Sequence, residues 1–385
     1  MTDSKDAFPP LPPPVDSDPY APLPPKPGNP WLERLASART GAQTWLGQHA
    51  SGAGGWGTKR LLLVVGGIFL VFYAVALYWS CEPAAFTVIK TAQIRAAKHG
   101  VPSDAKLVTG YLTTATLVEV TETLLRKPGG YVSNDKTPPG ALMDNMASWE
   151  WGVLQQTRDF ALSLRNDMSR SQTQSTEDRD LMEAQTLFNL PNDSWMLPAA
   201  ESNYRKGIRY LDNYLARLAD NDQADAQFFA RADNLRDWLK LVEKKLGSLS
   251  QRLSASVRQY RVNTDLAGDA EAAKAKEGTA QMETKTPWLE IDNVFYEARG
   301  TAWALLHLLK AVEVDFAGVL EKKNALVSLR QIIRELEATQ KTVWSPLILN
   351  GAEFGLFANH CLVMSSYISR ANAAIIDLRN LLVQG

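Results

Sequence analysis

Two cysteines and four histidines in 385 residues remove several classes of protein at once. Cys81 and Cys361 cannot build a disulfide framework, and Cys361 falls on an apolar helical face, where a free thiol packs as a small hydrophobe. His49, His99, His307 and His360 include no His-Glu-x-x-His pair and no Glu-x-x-His repeat. Neither a zinc protease nor a carboxylate-bridged di-metal bundle is signalled. His360 and Cys361 are adjacent on a helix and so point about 100° apart, which disfavours a direct catalytic pair. There is no Gly-x-Ser-x-Gly elbow, Walker loop or dinucleotide-binding glycine fingerprint. A formal net charge of −1 provides no field suited to nucleic acid. The reading therefore assigns no catalytic, metal or cofactor-binding residue and no cofactor.

What the chain does have is a long apolar run. Leu61 to Trp79 contains no charge and no Asn, Gln, Ser or Thr, and as a helix it would be roughly 28 Å long, close to the hydrocarbon thickness of a bilayer. Lys59 and Arg60 abut its start, Glu82 follows its end, and Trp56 and Tyr78-Trp79 sit where aromatic rings favour the interfaces. A buried core helix rarely lacks a polar face over such a length. A cleaved signal peptide would have its apolar region near the N-terminus, whereas sixty residues precede this one. The bulky Tyr78-Trp79-Ser80 before Cys81 fits a lipobox poorly. The run predicts a transmembrane anchor, with the lipid bilayer as its partner.

The flanks set an expected topology. Residues 1–30 hold eleven of the twenty prolines and predict a solvated, polyproline-II-prone cytosolic tail, a spacer or a docking peptide. Residues 31–60 read as an interfacial amphipathic helix from Trp31 to Leu46, followed by the glycine-rich joint Ser51-Gly52-Ala53-Gly54-Gly55. Basic residues lie on both sides of the span, but Lys59 and Arg60 touch it, and a long downstream domain translocates largely regardless of its charge. The N-terminus is expected in the cytosol and residues 81–385 on the far side of the membrane.

The 305 residues from Cys81 to Gly385 are long enough to bury a core, and their periodicity is almost wholly helical. Phe228, Ala232, Leu235, Leu239, Val242, Leu246, Leu249, Leu253 and Ser256 step by four and three, the pattern of a coiled-coil-like seam. Tyr204 to Leu218 keeps that rhythm before a turn at Ala219-Asp220-Asn221-Asp222, which predicts a helical hairpin. A seam runs from Phe357 to Leu382, and another from Ala302 to Val319, after which Asn324 is expected to cap a helix ending near Lys341. Shorter helices are expected at about 84–98, 111–126 and 147–168. Residues 263–286 form the best internal polar linker. The expected class is all-α: one transmembrane helix followed by an extracytoplasmic multi-helix bundle with long coiled-coil-like hairpins.

Two loops stand out as candidate partner-binding sites. Trp195 and Met196 in Asn192–Pro198, and Trp344 and Leu347 in Thr342–Leu347, place aromatic and apolar side chains beside a proline outside any helix. Each Trp either serves as a binding anchor or folds back to plug the end of the bundle, as large aromatics tend to.

The segments Gly110–Leu117, Lys127-Pro128-Gly129-Gly130-Tyr131, Ser169–Asp178 and Phe295–Gly300 resemble a Gram-negative bacterial family of single-pass membrane proteins, the domain of unknown function numbered two-three-three-three. The resemblance covers the anchor and nearly everything after it. It implies inner-membrane placement and transfers no activity. The expected function is a non-enzymatic anchored envelope protein whose bundle binds or positions other envelope components. A periplasmic ligand-binding or sensory module using the Trp195 and Trp344 loops is the alternative, and an enzyme of unrecognised type is third. A homo-oligomer is compatible with the seams.

Overall fold

The computed structural model describes residues 55–102, 105–171, 176–220, 225–257, 259–262, 281–345, 347–352 and 355–384. The proline-rich tail, the Trp31–Leu46 helix and most of the 263–286 linker lie outside them. Two units divide at Leu70 and Val71, inside the first helix. That helix, α1, spans Gly55–Trp79. From Gly57 to Trp79 it is long and apolar enough to cross a membrane, and at its C-terminal end Ala76 and Trp79 are half-buried against the core.

The remaining elements are α2 (Val88–Lys98), α3 (Tyr111–Arg126), α4 (Asp144–Ser163, continued by a π turn to Met168), α5 (Arg179–Phe188), α6 (Ala200–Ala219), α7 (Ala232–Ser254), strands β1 (Gln259–Val262) and β2 (Gln281–Thr284), α8 (Ile291–Asp315), α9 (Ala317–Lys322), α10 (Leu326–Thr339) and α11 (His360–Gln384). Among the described residues the regular structure is helical apart from the antiparallel β1–β2 ladder, which sets Gln259 opposite Thr284, and an isolated bridge between Asn350 and Asn359. The end of the expected polar linker is thus a strand, paired across the residues that precede it.

The core forms around α4 and α8, which cross at backbone contact because each supplies a glycine. A Cβ on Gly300 would lie 2.0 Å from the Trp149 carbonyl, and one on Gly152 would lie 2.2 Å from the Glu297 carbonyl. Helices α3 and α10 flank α8, α6 packs on α3 and α5, and α7 pairs with α11, which also lies on α10. Helix α3 is buried on nearly every face despite its threonines. Thr114, Thr116 and Thr121 each donate to the carbonyl four residues back, at 2.8, 2.7 and 2.8 Å, so burial leaves their hydroxyls satisfied.

Three expectations are corrected here. Helices α6 and α7 do not form a hairpin: α6 packs on α5 and α3, and α7 on α11. Residues 225–231 run non-helically between them, held where the Phe229 N–H donates to the Met168 carbonyl at 2.6 Å and the Tyr214 hydroxyl to the Gln227 carbonyl at 2.6 Å. The seams begin late for the same kind of reason, with Phe228 and Phe357 both preceding their helices. Asn324 does not cap α10; it takes a left-handed turn at φ +50°, and Ala325 precedes the helix instead.

Candidate functional site

The chain leaves α1 at Trp79 and three residues later Glu82 meets Arg299 of α8. Arg299 donates from Nε to both Glu82 carboxylate oxygens at 2.7 and 2.9 Å, and from Nη2 to Oε2 at 2.6 Å. Its Nη1 reaches the carbonyls of Thr339 and Lys341, each at 2.9 Å. A guanidinium 6% exposed therefore has its donors committed, which is the condition under which a charge tolerates burial. The consequence is mechanical: the end of α10 with Lys341 and the segment after α1 are clamped to the same side chain.

Trp344 stands three residues beyond that clamp and is 91% exposed; Leu347 is 72% exposed. Beneath the Trp344 ring lies a cavity of about 400 Å³ lined by Phe295, Arg299, Val343, Met364 and Tyr367 among others. Its walls are mainly apolar side chains, and its guanidinium already holds Glu82, so it suits an apolar group better than an anion.

The second loop is held from the other side of the exit. The Trp79 ring lies over Gly129, where a Cβ would approach it to 2.7 Å; Gly129 and Gly130 both have positive φ, at +81° and +70°. A side chain there would meet both the ring and an unfavourable backbone. Next to this turn, Lys127 Nζ and Glu150 Oε1 are 2.7 Å apart with both side chains fully buried. Glu150 also accepts from the N–H groups of Val132 and Ser133, at 2.8 Å each, and from the Ser133 hydroxyl at 2.5 Å. Burial raises the Glu150 carboxyl from its ordinary pKa, while Lys127 and these donors pull the other way. Four donors around two oxygens are satisfied by the carboxylate. Asn134 then donates to the Ser194 carbonyl and to Glu201 Oε2, both at 2.8 Å. Trp195, Met196 and Leu197 project from this pinned loop, 57%, 54% and 90% exposed.

Neither tryptophan plugs the core. That role falls to Trp149, Trp238 and Trp303, which are essentially inaccessible. Trp195 does not line the cavity beside Trp344; the two loops are held by separate clamps, one on Glu82 through Arg299 and the other on Ser194 through Asn134. Glu82 is visible in the sequence only as a flank of the apolar run, and Lys127 and Arg299 only within the segments that carry the resemblance; none of the clamp residues is read there as part of a site. Arg299 left a faint signal, a cation beside the charge-free Gly300–Leu309 stretch of α8, but its partner lies 217 residues away.

The histidine and thiol are structural. His307 accepts the Phe86 N–H at Nε2, 3.1 Å, and its Nδ1 lies 2.7 Å from the Trp303 carbonyl, which makes Nδ1 the protonated nitrogen. Burial lowers its pKa to about 4. Burial pushes the Cys361 thiol up to about 12, so it is not a nucleophile at neutral pH. Among the described residues no three His, Cys, Asp or Glu side chains converge to hold a metal.

Residues 52–385 match the model of a family described as an uncharacterized protein conserved in bacteria (DUF2333). No curated protein and no solved structure matches.

Proposed function

Because the chain belongs to that bacterial family, we propose that it is a non-enzymatic inner-membrane protein with a cytosolic N-terminus, whose periplasmic helical bundle binds or positions other envelope components. The observation that carries this reading is the way buried polar clamps display exposed tryptophans. Glu82–Arg299 and Lys127–Glu150–Asn134 hold loops whose rings contribute nothing to the core. Exposed, well-supported aromatics are the groups that dominate binding interfaces. The long α7–α11 pairing supports reading part of the bundle as coiled-coil-like.

Site-specific photocrosslinking in intact cells, with identification of the adducts, tests this directly. Replacing both Trp195 and Trp344 by Ala should abolish partner recovery and leave helical content and thermal midpoint nearly unchanged, because exposed truncations cost little stability. Retained recovery with an intact fold would exclude these loops. The alternative, a ligand-binding module, draws on the cavity beside Trp344. Under it, Met364→Trp, which fills that cavity, would block binding while Trp195→Ala would not.

A further inference from the structure

The clamps also orient the bundle. From Glu82 at Arg299 to Phe86 at His307, the chain leaving the span follows α8 over eight residues of helix, about 12 Å. The N-terminal end of α8 therefore lies back toward the span. Helix α3 runs opposite to α8, since Thr113 near its start bonds Asp315 at the end of α8, and its C-terminal turn carries Gly129 against Trp79. Helix α6 begins beside that turn through Asn134 and Ser194, and α10 ends there at Thr339. One pole of the described residues after Ser80 thus gathers the loops around 129–134, 194–198, 287–290, 341–345, 347–352 and 355–357.

That pole carries the exposed aromatics. Among the described residues after Ser80, the exposed aromatic side chains are Trp195, Trp288, Trp344 and Phe357. All four belong to these loops. Trp288 is 79% exposed, and its turn is joined to the others where the Cys361 thiol meets the Ile291 carbonyl and the His360 N–H meets the Leu349 carbonyl. Trp79 and Glu82 are separated by no more than roughly 10 Å of chain, as are Lys341 and Trp344. Trp79, where the proposed span ends, packs on Gly129 at this pole, so the bilayer surface lies within reach of these loops.

We propose that these loops contact the lipid bilayer itself, with Trp195, Trp288 and Trp344 seated in the headgroup region of the leaflet from which the span emerges. The proposal rests on α1 being a transmembrane helix. Tryptophan, with an apolar body and one N–H donor, is the side chain suited to that zone. Exposed Lys136, Lys285 and Lys341 are offset by Asp193 and Glu290, so the contact depends on the rings more than on charge. It also gives the rigid clamps a purpose: they fix the bundle's tilt on the membrane that anchors it.

The test uses the full chain reconstituted in vesicles of phosphatidylethanolamine and phosphatidylglycerol, with a photoreactive diazirine side chain introduced at position 195, 288 or 344. Val327, exposed at the opposite pole, serves as the control. Lipid adducts at all three positions, at least several-fold above position 327, are expected. Adducts no more frequent than at 327, in a chain that floats with the vesicles and resists carbonate extraction, would overturn the lipid contact and leave the anchor standing. A chain released by carbonate would overturn the anchor and the proposal together. Protein adducts in place of lipid ones would overturn the lipid contact and leave these loops to the partner-binding reading of the proposed function.

Discussion

His307 shows how a side chain type associated with catalysis is consumed by packing. Its ring stacks on Phe86, with centroids 4.0 Å apart, and both nitrogens are engaged by backbone groups. The neutral ring fits; the imidazolium would present a proton to the Phe86 N–H. With the folded pKa lowered to about 4 against about 6.5 in the unfolded chain, the unfolded state alone gains a proton between these values. Stability from this residue is complete above about pH 6.5 and is lost as pH falls toward 4, by an amount on the order of 3 kcal/mol. Urea midpoints measured across that range should fall more steeply for the native chain than for His307→Gln, which can keep an acceptor but does not titrate. Equal slopes would mean the ring is protonated in the fold. Arg299 makes the complementary point, since removal of one partner from a buried pair costs about 3–5 kcal/mol. Arg299→Ala should show that loss in chemical denaturation.

Among the helices, glycines and seams predict substitutions of opposite sign. Gly300→Ala drives a methyl into the Trp149 carbonyl and should destabilise by about 1–3 kcal/mol or more, the cost of an overpacked contact. Gly247→Ala, in the middle of α7 with its nearest neighbour the Asn372 amide at 3.6 Å, should instead stabilise by up to about 1 kcal/mol through helix propensity. Thermal midpoints moving in the same direction for both would refute the close α4–α8 crossing. Leu246, inaccessible on the α7 seam, should cost about 2–5 kcal/mol as Leu246→Ala. An unchanged denaturation midpoint would remove α7 from the core.

At the scale of the whole molecule, the proposed anchor would make the membrane the reference frame for the described residues after Ser80. A reporter that is active only in the cytosol, fused after Gly385, should be silent, and the same reporter at the N-terminus should be active. The reverse pattern would invert the proposed topology while leaving the lipid contact of the tryptophan loops untouched, because that contact depends on the exit segment and not on the compartment.

The apolar run, the helical class and most helix limits were legible in the sequence because they are local. Tyr111–Arg126 begins and ends at residues whose spacing and glycine signals announce it, and the α7 and α11 seams declare their buried faces through a period of three and four. Exposure of the two tryptophan loops was undecided from sequence, since an aromatic beside a proline serves a plug and an anchor equally well. Pairing was decided only by tertiary structure. A seam states which face is buried and is silent about its partner, so α7 lies on α11 instead of its neighbour in the chain. Glu82 and Arg299, or Lys127 and Glu150, are ordinary charges until folding removes water from both members of each pair, and no local pattern records which distant charge will be there when it does.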